Sequence, residues 1–440
     1  MTSLACVTSN RRPAHGVRLA AQSLLASCLA KGSAALLFLA ACPLLAAAIV
    51  CGARLRSHSK LGRFAQQFLE FSIEKRGGQP LVMLGFALRL LHIIGGQMAW
   101  VGPEARTPQQ MDLRRETART ANSIVPGLIS TWRLRQLTQI AYGSQLDIDV
   151  EYVTTRSRKG DLGVLVRSLL SLAYGGRQVQ ECGATADILG LPLDNCTMDE
   201  AIAEILVLAP GGRARQVSFL NADCVNLALK DDSYREILRS SDLRLGDGIG
   251  VRIAGRILKS PIRQNVNGTD LFPRLCAEME RQSQSLFLLG GKPGVAEDVG
   301  AWVADRYPGL RIAGLQHGYF SDAEERFVIE QIQQSGATVL LAAFGAPRQE
   351  TWIRRHLAAL PVRSALGVGG LFDFYSGRIP RAPQWLRELG LEWTFRLYQE
   401  PGRMWRRYLL GNAIFLGRAL AFRLLRGTGK RTNSKEIKSI

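Results

Sequence analysis

None of the eight cysteines stands in a C-x-x-C pair, and four of them, Cys6, Cys28, Cys42 and Cys51, lie near the apolar N-terminus. Their spacing argues against a disulfide framework and against a thiolate metal site, and reads as reduced thiols in a cytoplasmic protein. Histidine is scarce, with five in the chain and no H-E-x-x-H, which argues against protein-bound zinc. G-x-G-x-x-G is absent, and no acidic residue follows a later strand where a ribose would need one, so a nicotinamide-dependent dehydrogenase is disfavoured. Zinc-finger spacing, an aromatic RNA-binding signature and a long polybasic run away from apolar sequence are all missing. Nucleic acid is therefore not an expected partner. With 44 Gly and 17 Pro in 440 residues, there is no compositional sign of disorder either.

What is present is positive charge and apolar sequence. The formal charge is +19 and 47% of residues are hydrophobic. The length allows two or three domains, and the charge favours anionic partners such as acidic lipid headgroups or phosphorylated substrates. Residues 33–52, "SAALLFLAACPLLAAAIVCG", form an uncharged run of roughly spanning length. Basic residues flank both ends: Arg11, Arg12, Arg18 and Lys31 before it, Arg54, Arg56, Lys60 and Arg63 after it. Positive charge marks the cytoplasmic side, and Cys42-Pro43 near the middle removes a backbone donor. The expectation is a re-entrant hairpin that dips in and returns; an ordinary single-pass helix is the alternative.

From about residue 186 short apolar runs alternate with helical stretches. The runs "QVSFLN", "LFLLGG", "RIAGLQ", "TVLLAAFG" and "SALGVGG" have strand length, and segments such as "GTDLFPRLCAEMERQ" and "AEERFVIEQIQQ" have helical character. The alternation implies an α/β fold, a mostly parallel Rossmann-like sheet with helices on both faces. Ligands bind such sheets beyond the carboxyl ends of the strands, so Asn221, Gly290, Gly291, Gly345 and Gly369 are expected on that rim. Glycines after a strand and before a helix, as in "LFLLGGKPGVAE", can expose backbone N–H groups to a phosphate, although a tight turn needs the same residues. In "RLGDGIGVRIAGR", residues 244–256, one carboxylate, Asp247, stands among glycines. It can cap the following helix or take a proton.

Two resemblances add to this reading. "IIGGQMAWVGPEAR", residues 93–106, and "VPGLISTW" within residues 125–175 resemble bacterial phosphoglycosyl transferases, which load a sugar phosphate onto polyprenyl phosphate. The likeness covers residues ~30 to ~175 and implies a membrane-associated α/β-type domain with a Pro-broken helix. That family's catalytic Asp-Glu pair falls, counting back from Val101, at Gly85 and Phe86. Neither can attack phosphate or hold a metal, so this half is expected to anchor the protein rather than to catalyse. "DID" at Asp147 to Asp149 is expected to be structural.

Further along, "GLPLDNCTMDEAI", "FLNADCVNLA", "LRLGDGIGV", "NGTDL", "LFLLGGKPGVAE", "GAPRQE", "GVGGLFDFYSG", "RAPQWLRELGLEWTFRL" and "EPGRMWRRY" occur in that order. They closely resemble the WecG/TagA/CpsF glycosyltransferases over residues ~186 to ~410. The resemblance implies transfer of a sugar, N-acetylmannosaminyl in well-known members, from a UDP-sugar to an undecaprenyl-diphosphate-linked acceptor. Inverting transfer needs a base for the attacking hydroxyl and stabilisation of the departing diphosphate. Asp247 matches the proposed base, with Gly248 beside it, and Gln349 matches an active-site Gln that can bind sugar hydroxyls. Asn221 is expected to face the sugar or the base loop. Gly290 and Gly291 belong to the substrate rim. No metal or cofactor is expected; Arg381, Arg396, Arg403, Arg406 and Arg407 are the candidates for the diphosphate. Phe219 stands where the family often has Thr and Asn265 where it often has Arg, which leaves the donor sugar open.

The expected organisation is a basic segment (1–32), a membrane helix (33–52), a degenerate phosphoglycosyl transferase-like domain (53–175), a linker (176–185), the glycosyltransferase domain (186–400) and a basic membrane-interface appendage (401–440). In the appendage, "YLLGNAIFLGRALAFRLLRGTGKR" mixes bulky apolar residues with arginines, as an interfacial helix on anionic lipid would. The expected location is the cytoplasmic face of a bacterial plasma membrane, making exopolysaccharide or envelope glycan, with an upstream phosphoglycosyl transferase or a second copy as further partner. The alternatives are a bifunctional enzyme that also performs phosphoglycosyl transfer and a scaffold that binds a nucleotide sugar without turnover.

Overall fold

A computed structural model describes residues 14–50, 54–61, 67–74, 82–107, 116–138, 144–174, 183–388 and 390–427. It divides into two compact units, residues 1–173 and 174–440. Most of the expected linker, and residues 1–13 and 428–440 of the two basic ends, lie outside the described residues.

The first unit contains α1 (Ala14–Val50), an antiparallel pair β1 (Arg54–Leu61) and β2 (Gln67–Glu74), α2 (Val82–Ile94), β3 (Ala99–Val101), α3 (Glu116–Ala121), β4 (Gly127–Ile129), α4 (Thr131–Thr138), α5 (Gln145–Thr155) and α6 (Arg158–Tyr174). Helix α1 starts well before residue 33 and runs through Pro43 without interruption. A loop at Cys42-Pro43, as a hairpin with a non-helical turn would need, is therefore not formed. One proline removes a single donor, and the bonds on either side carry the helix on. Within α1, Ser27–Leu45 is long and apolar enough to cross a bilayer. Ala34 and Leu45 pack towards α2, while Leu36, Leu39 and Leu44 are exposed.

The two motifs of this unit meet as a parallel pair, β3 with β4. Gly102 N–H donates to Ile129 O (3.1 Å) and Gly127 N–H to Pro103 O (2.9 Å). A Cβ on Gly102 would lie 2.6 Å from Gly127 N, so the backbones meet where no side chain fits. Ser130 Oγ and Arg133 then both donate to Glu104, at 2.5 Å each. These motifs thus have a structural reason that needs no chemistry. Gly102→Ala is expected to destabilise this unit by several kcal/mol through the clash with strand backbone, read as early proteolysis of residues 82–174 in the full-length chain. "DID" is structural as expected. Asp147 forms a capping box with Ser144 at the start of α5, and buried Asp149 pairs with Arg106. α2 carries Gly85 and an exposed Phe86, with no carboxylate at either position.

In the second unit, β5 (Thr185–Ile188) and β6 (Leu191–Asp194) form a hairpin, followed by α7 (Met198–Leu206), β7 (Arg215–Leu220), α8 (Ala222–Ala228), α9 (Asp232–Ser240), β8 (Leu243–Gly246), α10 (Ile249–Ile257), α11 (Gly268–Arg281), β9 (Ser285–Gly290), α12 (Val295–Arg306), β10 (Arg311–Gln316), α13 (Asp322–Ser335), β11 (Val339–Ala343), α14 (Arg348–His356), β12 (Ser364–Gly367) and α15 (Leu371–Tyr375). The sheet is wholly parallel in the order β10-β9-β11-β12-β7-β8. Its central strands are apolar on both faces, as a sheet covered twice requires. Leu286, Leu288, Val339 and Leu341 pack under α7, α11 and α12; Phe287, Leu289, Leu340 and Ala342 pack under α13 and α14.

The chain closes with α16 (Gln384–Glu388), α17 (Glu392–Gln399), α18 (Pro401–Trp405), a π-helical turn at Arg406–Gly411 and α19 (Asn412–Gly427). Residues 401–427 are not a separate appendage. Phe415, Ala419 and Phe422 recur at i, i+4 and i+7, and are buried in the same core as the β5/β6 hairpin, α8 and α10. Asn226 Nδ2 donates to Gly411 O (2.8 Å), and Arg423 donates to Ile257 O (2.6 Å).

Candidate active site

Strand register builds the site. Leu220, the last residue of β7, pairs with Gly246, the last of β8. The next residues on each strand are Asn221 and Asp247, and Asp247 N–H still donates to Leu220 O (2.9 Å). The two side chains therefore emerge together at the carboxyl rim, where Asn221 hydrogen-bonds the Asp247 carboxyl. Asn221 is also the N-cap of α8, its Oδ1 accepting from Cys224 N–H at 2.9 Å. Asp247 does not cap α10; Gly248 holds that place at φ +93°, with no side-chain cap.

Asp247 keeps partial contact with solvent, yet the surrounding protein pushes its carboxyl up to about 6, against the usual 3.8. Desolvation is the main cause. The Asn221 hydrogen bond and the Arg407 charge oppose it, while Glu392 and Asp270 add to it. A carboxylate poised near neutral pH and in partial contact with solvent is suited to accept a proton.

Gln349, expected to bind sugar hydroxyls, has its amide hydrogen-bonded within the protein. It is 4% exposed, at the start of α14. Its Oε1 accepts from Gly345 N–H (3.1 Å) and Gly369 N–H (2.8 Å), so one amide ties the loops after β11 and β12 together. Its Nε2 donates to Glu350 Oε1 at 2.7 Å. Glu350, 1% exposed, was not singled out from the sequence. Burial pushes its carboxyl up to about 7, against the hydrogen bond from Gln349. The folded carboxyl therefore holds a proton that the unfolded one has released between pH 4.5 and 7, and stability falls as pH rises through that window. Glu350→Gln is expected to match wild type near pH 5 and to exceed it by on the order of 2 kcal/mol at pH 8. Urea melts at the two pH values check this.

The five arginines separate. Arg381 pairs with Asp270 Oδ1 (2.7 Å) and Glu392 Oε1 (3.3 Å). Two carboxylates already neutralise it, so it ties α11 to α17 and is poorly placed to serve a diphosphate. Arg403 is largely exposed beside Glu400, and Arg406 is exposed over the Trp405 ring. Arg396 lies against Gly370 in the loop after β12 and over Phe374, with only long contacts to Asp373 (3.7 Å) and Glu400 (3.8 Å). Arg407 pairs with Asp223 (3.1 Å) and acts on Asp247. Arg396 and Arg407 are thus the two that face the rim.

Gly290 ends β9 and Gly291 follows it. A Cβ on Gly290 would meet Ala343 backbone at 2.7 Å and one on Gly291 would meet Val295 at 2.6 Å, so close packing alone demands both. Asp270 and Glu392, whose charges reach Asp247, were also missed. The only signal for Asp270 is its place three residues after the N-cap Asn267, whose Oδ1 accepts from Asp270 N–H at 2.7 Å. Among the described residues, no three His, Cys, Asp or Glu side chains converge as a metal site would require.

Residues 186–429 match the glycosyl transferase WecG/TagA/CpsF family. The chain belongs to that family. It is similar to the N-acetylglucosaminyldiphosphoundecaprenol N-acetyl-beta-D-mannosaminyltransferase of Bacillus subtilis (strain 168), 34% identical over 193 residues, or 44% of this chain and 74% of the relative. The protein of the same description from Bacillus spizizenii (strain W23) is 34% identical over 182 residues, 41% of this chain and 70% of that one. Residues 87–175 match the bacterial sugar transferase family, so the chain fuses the two. The second match begins just past Gly85 and Phe86. The WecG/TagA/CpsF match continues through Phe415 and Phe422, in agreement with their place in the core.

Proposed function

We propose that this glycosyltransferase moves a sugar from a UDP-sugar to an undecaprenyl-diphosphate-linked saccharide, with inversion, in the assembly of bacterial exopolysaccharide or a related envelope glycan. The relatives' acceptor, a diphosphoundecaprenol carrying N-acetylglucosamine, supports the acceptor class. The observation that carries the chemistry is the pairing of Asn221 with Asp247 at the sheet rim, the carboxyl held at about 6 and Arg407 beside it. Asp247 takes the proton of the acceptor hydroxyl as its oxygen attacks C1 of the donor sugar and the C1–O bond to UDP breaks. Arg407 and Arg396 neutralise the departing diphosphate, without a metal or other cofactor. The first unit keeps the enzyme at the cytoplasmic face of the plasma membrane and performs no transfer of its own.

The test is to supply membranes bearing the full-length protein with a panel of UDP-sugars and short lipid-linked acceptors, with and without EDTA. Expected is transfer from one UDP-sugar, unaffected by EDTA, with the anomeric configuration inverted in the product's NMR spectrum. Absence of transfer with every pair, or loss of transfer in EDTA, overturns the reading.

A further inference from the structure

The segment after α10 grips the residues on either side of Asp247. Val266 N–H donates to Gly246 O (2.9 Å), and Asn265 Oδ1 accepts from Gly248 N–H (2.7 Å). One bond lies just before the carboxylate and the other just after it. Gly248 needs the second: at φ +93° it precedes α10 with no capping side chain, and its N–H has this side-chain carbonyl as acceptor. The segment itself is fixed. Arg263 N–H donates to Asn195 Oδ1 (2.7 Å), Gln264 Oε1 accepts from Met198 N–H (2.8 Å), and Asn267 caps α11.

We infer that Asn265 is a positioning residue for Asp247, its side-chain carbonyl holding the backbone of the base loop so that the carboxylate stays aimed at the acceptor hydroxyl. The inference rests on Asp247 being the base. Asn265 touches the loop's backbone and acts on the reaction through it. An acceptor is what this place requires: an apolar side chain leaves the Gly248 N–H to water, the loop loosens, and solvent reaches the carboxyl.

The consequence can be read without turnover. The charged groups around Asp247 are Arg407 after α18, Glu392 on α17 and Asp270 on α11, with the Tyr408 hydroxyl nearby, and none of them changes when Asn265 is substituted. In Asn265→Leu a loosened loop hydrates the carboxyl, and its titration midpoint falls from about 6 towards 3.8. Asn265→Asp keeps an acceptor for Gly248 but adds a negative charge, so the midpoint rises. The experiment follows the Asp247 carboxyl by carbon NMR against pH in full-length protein in detergent, and measures the kcat and KM for the UDP-sugar of each variant. Expected midpoints run Leu below wild type below Asp. In Asn265→Leu, kcat falls on the order of 10–100-fold, the scale of a misplaced catalytic group, while KM for the UDP-sugar stays within about twofold. Equal midpoints in the Leu variant and wild type overturn the inference. If Asn265→Leu fails to fold, an unshifted midpoint in Asn265→Asp overturns it equally. Wild-type protein that titrates as described but transfers no sugar tells against the proposed function alone.

Discussion

Asp247→Asn is expected to abolish transfer while making the protein more stable at neutral pH. Removing a general base lowers turnover by roughly 10²- to 10⁴-fold. The stability gain follows from the direction of the pKa shift. The folded carboxyl titrates at about 6 and an unperturbed one near 3.8, so between those values the folded state holds the extra proton. Stability therefore declines as pH rises through that window, and the penalty is complete above it. An isosteric amide carries no such penalty. Because the carboxyl retains some contact with water, the gain at pH 7 is on the order of 1–2 kcal/mol rather than the full shift. Turnover of the wild type rises with pH through about 6, as the base ionises. Denaturant melts at pH 7 and a rate profile measure both effects. An Asn variant less stable than wild type at pH 7 would make the carboxylate structural.

Phe415→Ala is expected to destabilise the second unit by about 3–5 kcal/mol, the usual effect of truncating a buried aromatic. Its ring lies fully buried beside Gly250, in the loop-to-helix segment that follows Asp247. Ile414→Ser, one residue away, is expected to change stability by less than about 0.5 kcal/mol, because Ile414 is exposed. Leu409, Leu410, Ile414, Leu420 and Leu424 make up that outer, apolar side. We propose that it rests on anionic lipid, so Ile414→Ser lowers co-sedimentation with acidic vesicles where Phe415→Ala acts on folding. Melting curves and vesicle binding of the two variants separate the two sides of one helix. Similar losses of stability in both would contradict the division.

Five of the six sheet strands were legible because each is a short apolar run bounded by Gly, Asn or a helix. The sixth, β8 (Leu243–Gly246), was hidden, since "LRLG" places Arg244 mid-strand, and its guanidinium is held by Asp194 from the neighbouring hairpin. The α/β class came from pattern and spacing, whereas the candidacy of Asp247 as a base came from the resemblance of the ordered motifs to the WecG/TagA/CpsF family. Arg381 and Gln349 show where such reasoning stops: a residue type states what a side chain can bind, not what already occupies it. Asp270 and Glu392 had taken up Arg381, and Glu350 with two glycine N–H groups had taken up Gln349.

The periodicity of apolar residues was enough to specify the parallel sheet and the place of its carboxyl rim, because each is a local property of consecutive side chains; the N-terminal apolar run, expected to turn back at Pro43, is one continuous helix. Which rim residues stand together was settled by contacts between segments far apart in the chain. The β7–β8 register brings Asn221 to Asp247, Asn265 reaches back to Gly248, and Phe415 closes over α10. No local pattern encodes those pairings, since each depends on how far one packed element carries its end towards another.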